Sequence, residues 1–283
     1  MTRPGRGTAW GGISFLNGIP TGVGATAAIR LPVEVTVGPA SGTEVLPPGL
    51  DRLLRESLRA LSDRPGDEGD GPGMVRVTSG VPPGQGLKSS SALSVALLRA
   101  LRDRGGSPPL LPEELARLSA RVCRAAGLSI TGAYDDALAS ARGGVVVADV
   151  WGEETLRTDE PPAGVSVLVW LPGGGHPDLD TLRQRWNSFH PPEAAAAAAE
   201  ARAGRYLGAM ELNSEVVERA LGYPWGELRR RLKEEGAVAA GVSGNGPALA
   251  VLVPPGSEER FRRVFLAGEV LPTTFVPAGE VPP

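Results

Sequence analysis

Between an alternating segment at 74–79 (Met-Val-Arg-Val-Thr-Ser) and a helical run from Ser89 to Arg104 lies Val81-Pro-Pro-Gly-Gln-Gly-Leu-Lys-Ser-Ser-Ser-Ala92. No other stretch restricts the fold as tightly. Alternation predicts a strand, and the run after it predicts a helix. The joint must turn sharply between the two, and Gly84 and Gly86 permit that turn and a close backbone approach to a ligand. Such a joint leaves the first N–H groups of the helix free at the mouth of the loop. With the positive end of the helix dipole, they make an anion site. Ser89, Ser90 and Ser91 add hydroxyls suited to phosphate oxygens or to a Mg²⁺ shell, and Lys88 adds a compact ammonium. The plainer alternative is a Ser-capped turn with Lys88 in solvent. A Walker loop is excluded, because Lys88 follows Leu87 rather than Gly.

Composition narrows the function classes. The chain has 283 residues, 41% of them apolar and 22% charged, enough to build a core. Cys123 is the single cysteine, and only His176 and His190 join it. A disulfide scaffold and a Cys/His zinc centre are therefore not expected. The net charge of −3 argues against a nucleic-acid partner. No apolar run reaches the roughly 20 residues of a bilayer span, so no membrane partner is expected. The N-terminus lacks the apolar core of a signal peptide, and a cytoplasmic chain is expected. Of the 29 basic residues, only Lys88 and Lys233 are lysines. In so arginine-biased a chain, the lysine inside the glycine loop draws notice. Asparagine is equally sparse, at Asn17, Asn187, Asn213 and Asn245.

The remaining elements are read from periodicity and punctuation. Residues 32–38 alternate as a strand, and 50–62 place Leu50, Leu53, Leu54, Leu58 and Leu61 on one helical face. Residues 63–73 read as a loop. Helices are expected at 112–126, with Pro112 in the first turn, and at 133–141 before Gly143-Gly144. A strand follows at 145–150. The acidic, Pro-rich stretch 151–164 suggests a boundary, dividing the chain into domains at 1–155 and 156–283. In the second, strands are expected at 165–171 and 247–253, and helices at 193–207, 209–221, 225–235 and 257–267. Together they predict an α+β fold of two layers.

Two further motifs carry candidate chemistry. In Ile130-Thr-Gly-Ala-Tyr-Asp-Asp-Ala137, adjacent carboxylates open a helix after a glycine turn. Asp135 and Asp136 could orient a hydroxyl, take its proton or hold a metal. One of them could equally be a plain N-cap. In Ala240-Gly-Val-Ser-Gly-Asn-Gly-Pro-Ala-Leu249, successive peptide N–H groups could cradle an anion. The alternative there is a hairpin turn. Asn17-Gly-Ile-Pro-Thr-Gly22-Val-Gly24 is too incomplete for a dinucleotide fingerprint. Three glycine-rich polar loops with an Asp pair between them look like one site assembled from distant segments.

As a set, these motifs resemble a known family. Pro-x-Gly-x-Gly-Leu-x-Ser-Ser at 82–90 resembles the phosphate loop of the GHMP kinases, and 241–247 resembles their C-terminal glycine motif. Gly86-Leu-Lys-Ser-Ser-Ser-Ala92, Thr131 to Ala137, Gly241 to Pro247, Asn17-Gly-Ile and Glu211-Leu-Asn-Ser214 are similar to the archaeal-type shikimate kinases within that superfamily. The resemblance spans about residues 8–253. It implies the two-domain GHMP fold, with an N-terminal domain like ribosomal protein S5 domain 2 and a ferredoxin-like C-terminal domain. It also implies ATP-dependent phosphorylation of the 3-hydroxyl of shikimate, on the route to chorismate and the aromatic amino acids.

By position, the resemblance implies that Pro82, Pro83, Gly84, Gln85, Gly86, Leu87, Lys88, Ser89, Ser90, Ser91 and Ala92, with Gly244, Asn245 and Gly246, hold ATP. Ser89 and Ser90 would touch Mg²⁺. Asn17, Gly22, Gly24 and Thr131 would meet the substrate. Asp135, Asp136 and Lys88 would act in the chemical step, with Asp135 favoured as the base. Where mevalonate kinases place a metal-binding Glu, this chain has Arg124. The substrate carboxylate calls for a cation, for which Arg142 and Arg183 are open candidates. A monomer or homodimer is expected. Other GHMP kinases (homoserine, pantoate or mevalonate type) and a non-catalytic ATP sensor are the alternatives.

Overall fold

The computed structural model describes residues 3–39, 48–62 and 74–282. The loop expected at 63–73 lies outside them. Two antiparallel sheets organise the chain. The first contains β1 (Gly5–Leu16), β2 (Val23–Gly38), β3 (Met74–Ser79), β4 (Val145–Asp149) and β5 (Glu154–Asp159). β1 runs along one edge of the long β2, while β3 pairs with Val33–Gly38 and β4 with Val23–Ala27. β5 pairs with β4. Four helices pack around this sheet: α1 (Pro48–Leu61), α2 (Ser89–Arg104), α3 (Pro112–Ala125) and α4 (Tyr134–Arg142).

The second sheet runs in the order β7 (Ala239–Val242), β8 (Leu249–Val253), β6 (Ser166–Leu171), β9 (Glu269–Thr273). Between β6 and β7 lie α5 (Leu179–Asn187), α6 (Pro192–Arg202), α7 (Tyr206–Leu221) and α8 (Gly226–Glu234). α9 (Glu258–Arg262) lies between β8 and β9. In chain order the four strands are arranged 2-3-1-4, which is the split βαβ arrangement of ferredoxin-like domains. The α+β expectation holds.

α2 lies directly against β1 because two glycines remove the side chains that would separate them. A Cβ on Gly7 would sit 2.1 Å from the Ala96 carbonyl oxygen, and one on Gly5 2.1 Å from that of Ala100. The helix therefore rests on the strand backbone, and its first turn is aimed at the end of β1. α1 covers its own face as its leucines require: Leu53 and Leu54 are buried, and Leu50, Leu58 and Leu61 pack at the margin.

The two sheets share a core. Ala197, Ala201, Ala209 and Met210, from α6 and α7, join the apolar cluster of the first sheet, and Tyr206 stacks on Phe15 at 5.3 Å. The segment after β9 also returns to the first sheet. Phe275 bridges to Ile29, the Val276 N–H donates to the Ala28 carbonyl, and Trp10 donates to the Glu280 carbonyl. A boundary between 155 and 156 would cut β5; the sheets themselves part between Asp159 and Ser166.

Several expected elements shift. The strand at 32–38 is the outer half of β2, whose inner half was masked by Gly24 and small residues. The helix expected over 193–207 stops at Arg202, where Gly204 takes a φ of +79°, and α7 begins at Tyr206. The strand expected from 247 starts at Leu249, because Ser243 to Ala248 form a closed turn. The helix at 257–267 shortens to Glu258–Arg262. β1, β5, β7, β9 and α5 were not anticipated.

Replacing Gly7 with Ala would force α2 off β1. We expect a loss of about 1–3 kcal/mol of stability, typical of overpacking, together with weaker nucleotide binding. Chemical denaturation and a nucleotide titration on the same variant measure both.

Candidate active site

One knot of hydrogen bonds brings the distant loops together. The fully buried Ser243 hydroxyl donates to the Gly86 carbonyl at 2.8 Å and accepts the Ser14 N–H at 3.1 Å. A Cβ on Gly86 would lie 2.0 Å from the Ser243 carbonyl oxygen, and its φ of +80° suits glycine. The Gly12 N–H donates to the Leu87 carbonyl at 3.2 Å. The glycine loops at 84–86 and 241–246 are thus in contact, and the end of β1 lies under both.

The resulting cleft is lined by Ser14, Asn17, Gly84, Gly86, Lys88, Ser89, Ser90, Ser91, Thr131, Asp135, Asp136, His176, Gly244 and Asn245, with Leu16, Ile19, Leu128, Ile130, Leu179 and Leu182 as its apolar wall. Two helices begin at it. α2 presents Ser89–Ser91, and α4 presents the Asp pair. Each is preceded by a non-glycine residue in left-handed conformation: Lys88 at φ +67° and Ala133 at φ +55°. That conformation costs an L-residue about 1–2 kcal/mol. The surroundings hold both residues there, as is common at functional sites.

Lys88 is held from two sides. Its ammonium donates to Ser14 Oγ at 2.5 Å and lies 3.1 Å from Asp136 Oδ1. The side chains of Lys88 and Asp136 are only 8% and 14% exposed. Gly12 makes room for the lysine stem, since a Cβ there would approach Lys88 Cγ to 3.1 Å. The solvated alternative for Lys88 does not hold. Thr26, on β2, bridges the acids: its Oγ1 lies 3.0 Å from Asp135 Oδ2 and 2.5 Å from Asp136 Oδ1. One hydroxyl proton serves one carboxylate oxygen at a time, so the second short contact fits a proton shared within the acid pair.

Asp135 is 4% exposed. Burial, then the neighbouring Asp136 charge, push its carboxyl from 3.8 up to about 7; Lys88 and the Thr26 hydrogen bond act in the opposite sense. The pair therefore comprises one acid matched to Lys88 and one that titrates near neutrality.

The structure sorts the residues singled out in the sequence. Lys88, Ser89–Ser91, Asp135, Asp136, Gly84, Gly86, Asn17, Thr131, Gly244 and Asn245 meet at the cleft. Leu87 and Ala92 do not line it; both are fully buried core residues. Pro82, Pro83, Gln85 and Gly246 do not line it either: Gln85 donates to the Gly174 carbonyl, and the Gly246 N–H closes its own turn on the Ser243 carbonyl at 2.8 Å. Gly24 is a β2 residue that leaves space for Asp135: a Cβ there would meet the Asp135 carboxylate at 2.5 Å. Gly22 packs on Trp151 in the turn between β1 and β2. Neither glycine lines the cleft.

The cation candidates are corrected too. Arg142 ends α4 at the far end from the cleft, and Arg183 is an exposed partner of Asp180. Arg124 supports the turn before α4 by donating to the Thr131 carbonyl at 2.8 Å and pairing with Glu153. Among the described residues, no arginine lines the cleft.

Sequence reading missed Ser14, Thr26 and His176, and it marked the loop of Ser243 without giving that hydroxyl a role. Ser14 and Thr26 are single hydroxyls inside strands and carry no local signal. His176 lies in Pro172-Gly-Gly-Gly-His-Pro177, whose backbone N–H at 176 donates to the Gly84 carbonyl at 2.9 Å. That glycine run after β6 was a usable sign of a further loop at the site.

The raised Asp135 carboxyl has a sign that stability reads. Between about pH 4 and 7 the folded chain holds a proton that the unfolded chain has released. Its stabilising contribution is full below pH 4 and is lost as pH rises through 7. We expect Asp135→Asn to flatten this slope and to melt above the parent protein at pH 8, with the gap narrowing toward pH 5. Thermal melts across that range check it.

Comparison with known proteins gives the arrangement a family. Residues 52–144 match the family model for the GHMP kinases N-terminal domain, and residues 193–268 the model for the GHMP kinases C-terminal region. A shikimate kinase of Archaeoglobus fulgidus is 36% identical over 243 residues, covering 86% of this chain and 82% of the relative. One from Aeropyrum pernix is 36% identical over 265 residues, covering 90% and 93%. Among solved structures, the mevalonate kinase of Methanococcus jannaschii superposes with a TM-score of 0.71 at 11% identity, covering 98% of this chain and 99% of that one. Homoserine kinase from Cytophaga hutchinsonii superposes at 0.69 and 17%, covering 99% and 97%. At such identities the superpositions speak for the fold, and the family models and the archaeal relatives carry the assignment: this chain belongs to the GHMP kinases.

Proposed function

We propose that this protein is a shikimate kinase that transfers the γ-phosphoryl group of ATP to the 3-hydroxyl of shikimate. The observation that carries the reading is the cleft itself. An anion-binding helix end, a buried Lys88–Asp136 pair and a second carboxyl titrating near neutrality meet in one place. The choice of alcohol is supported by relatives named shikimate kinase at 31–36% identity over most of the chain.

Phosphoryl transfer asks a protein mainly for positioning and for charge neutralisation. The peptide N–H groups of 84–86, those of Gly244 and Asn245, and the first turn of α2 hold the phosphates. Lys88, fixed by Asp136 and Ser14, offsets charge on the transferring phosphoryl oxygens. Asp135 takes the proton of the 3-hydroxyl as that oxygen attacks, and a carboxyl near pH 7 is matched to this task. Thr26 holds the two acids in register. Asn17 and Thr131 line the same cleft, on the side where the acceptor would lie.

The residues present also fit Mg²⁺. That ion favours one or two carboxylates together with substrate phosphates, and Asp135, Asp136, Ser89 and Ser90 offer hard oxygen donors around the same cleft. Asp136 and the Ser90 hydroxyl would hold it; when bound, Mg²⁺ neutralises charge on the β- and γ-phosphates. The segment 160–165, between the two sheets, is our proposed domain boundary in place of 155/156.

ADP release measured with shikimate, homoserine, mevalonate, pantoate and galactose tests the assignment. We expect turnover with shikimate alone; turnover only with another alcohol would move the protein within the family. Asp135→Asn should lower kcat by about 10²-fold or more, while ATP binding changes little. In the parent protein, kcat/KM should rise with pH through about 7. The variant should lose that limb.

A further inference from the structure

Three of the four asparagines in the chain, Asn17, Asn213 and Asn245, form one connected group. Their amide orientations are fixed by partners that can only donate. The Trp186 indole N–H donates to Asn245 Oδ1 at 3.1 Å. The Ile19 N–H donates to Asn17 Oδ1 at 2.9 Å, so the Asn17 amide nitrogen is the end that reaches Asn245 Oδ1, at 2.9 Å. The Asn17 N–H donates to Asn213 Oδ1 at 2.8 Å. The Asn245 backbone is held as well, because the Tyr223 hydroxyl donates to its carbonyl at 2.8 Å.

With Oδ1 accepting two hydrogen bonds, the NH₂ group of Asn245 is left without a partner among the described residues, and Asn245 lines the cleft. The two sides of this loop look in different directions. At Gly244 a Cβ would lie 3.1 Å from the Lys88 ammonium, which puts its backbone on the phosphate side. The Asn245 side chain instead lies against Asn17, in the turn that contributes Gly18 and Ile19 to the cleft.

We propose that the Asn245 NH₂ group donates a hydrogen bond to an oxygen of the acceptor molecule, and that Trp186 and Asn17 are positioning residues that hold it in that orientation. The proposal rests on the reading of the acceptor as shikimate, a ring carrying three hydroxyls and a carboxylate. A neutral, pre-oriented donor suits either kind of oxygen. A site that donates to a particular substrate oxygen discriminates against the analogue lacking it, because a donor covered by the bound ligand is then left unpaired.

The test is a cycle between substrate and protein. Shikimate, its 4-deoxy and 5-deoxy analogues and its carboxamide are titrated calorimetrically into the parent chain and into Asn245→Ala, both saturated with a non-hydrolysable ATP analogue. We expect the parent to bind one analogue at least tenfold more weakly than shikimate. Asn245→Ala should bind shikimate at least tenfold more weakly than the parent does, and should distinguish that analogue less than threefold. Its affinity for the nucleotide should stay within threefold, which also reports that the variant is folded.

If Asn245→Ala does not fold, Asn245→Asp serves in its place: it keeps both bonds accepted at Oδ1 and exchanges the donor for an acceptor. Trp186→Phe should raise KM for shikimate more than it lowers kcat. Unchanged discrimination in the Asn245 variant, or a loss confined to the nucleotide, would overturn the proposal. A parent protein inactive on shikimate would instead overturn the substrate reading, so the two failures are distinct.

Discussion

A single buried hydroxyl, that of Ser243, holds the site together. Ser14 and Ser243 stand 229 residues apart in the chain, and Gly86 is 157 residues from Ser243. Only a side chain that accepts and donates at once can satisfy a strand N–H and a loop carbonyl in the same small volume. Left unmet, each of those backbone groups would cost about 1–3 kcal/mol in the interior. Gly86 completes the joint by carrying no Cβ, and Gly7 and Gly5 do the same one layer below, where α2 rests on β1. The direction of the α2 N-terminus is therefore set by backbone contact rather than by adjustable side chains. On the proposed reading, a phosphate site built in this way would not have to reorganise to receive its charge.

The acids show why that rigidity matters. Two carboxylates on consecutive residues cannot both be cheaply ionised in a buried place. Lys88 matches Asp136, and the cost of ionisation falls on Asp135. Strain supports the division of labour. A glycine at position 88 would adopt the left-handed conformation freely, but it would leave Asp136 without its cation. Breaking a buried pair by removing one partner costs about 3–5 kcal/mol, more than the backbone strain of keeping lysine there. The arithmetic favours a strained lysine over a relaxed glycine.

Much of the fold was legible because helices announce themselves locally. α2 and β3 have the boundaries that the pattern predicted, and α1 and α3 come within two residues at either end. β1 was not read, since its Gly7, Gly11 and Gly12 suppress the alternation of a strand; they are there because α2, Val81 and Lys88 need the space. β9 and the segment after it were silent for another reason: their pairing is entirely with distant strands. At the site, residues within glycine loops or helix starts were found, and isolated hydroxyls were not. Thr26 reads as one more β-branched strand residue until α4 brings the Asp pair against it. Gly24 was found for the wrong reason, since it serves the acid beneath it rather than the ligand above.

The sequence offers Arg142 and Arg183 as cations for the substrate carboxylate, and neither lines the cleft. Among the described residues the only amine or guanidinium lining the cleft is Lys88, and Asp136 and Ser14 already engage it. On the proposal made for Asn245, recognition of substrate oxygens would fall to a neutral donor whose direction is set in advance by the bonds accepted at Oδ1. The chain has 27 arginines, and every described one lies outside the lining of this cleft, so its built-in positive character comes from Lys88 and from helix and loop N–H groups.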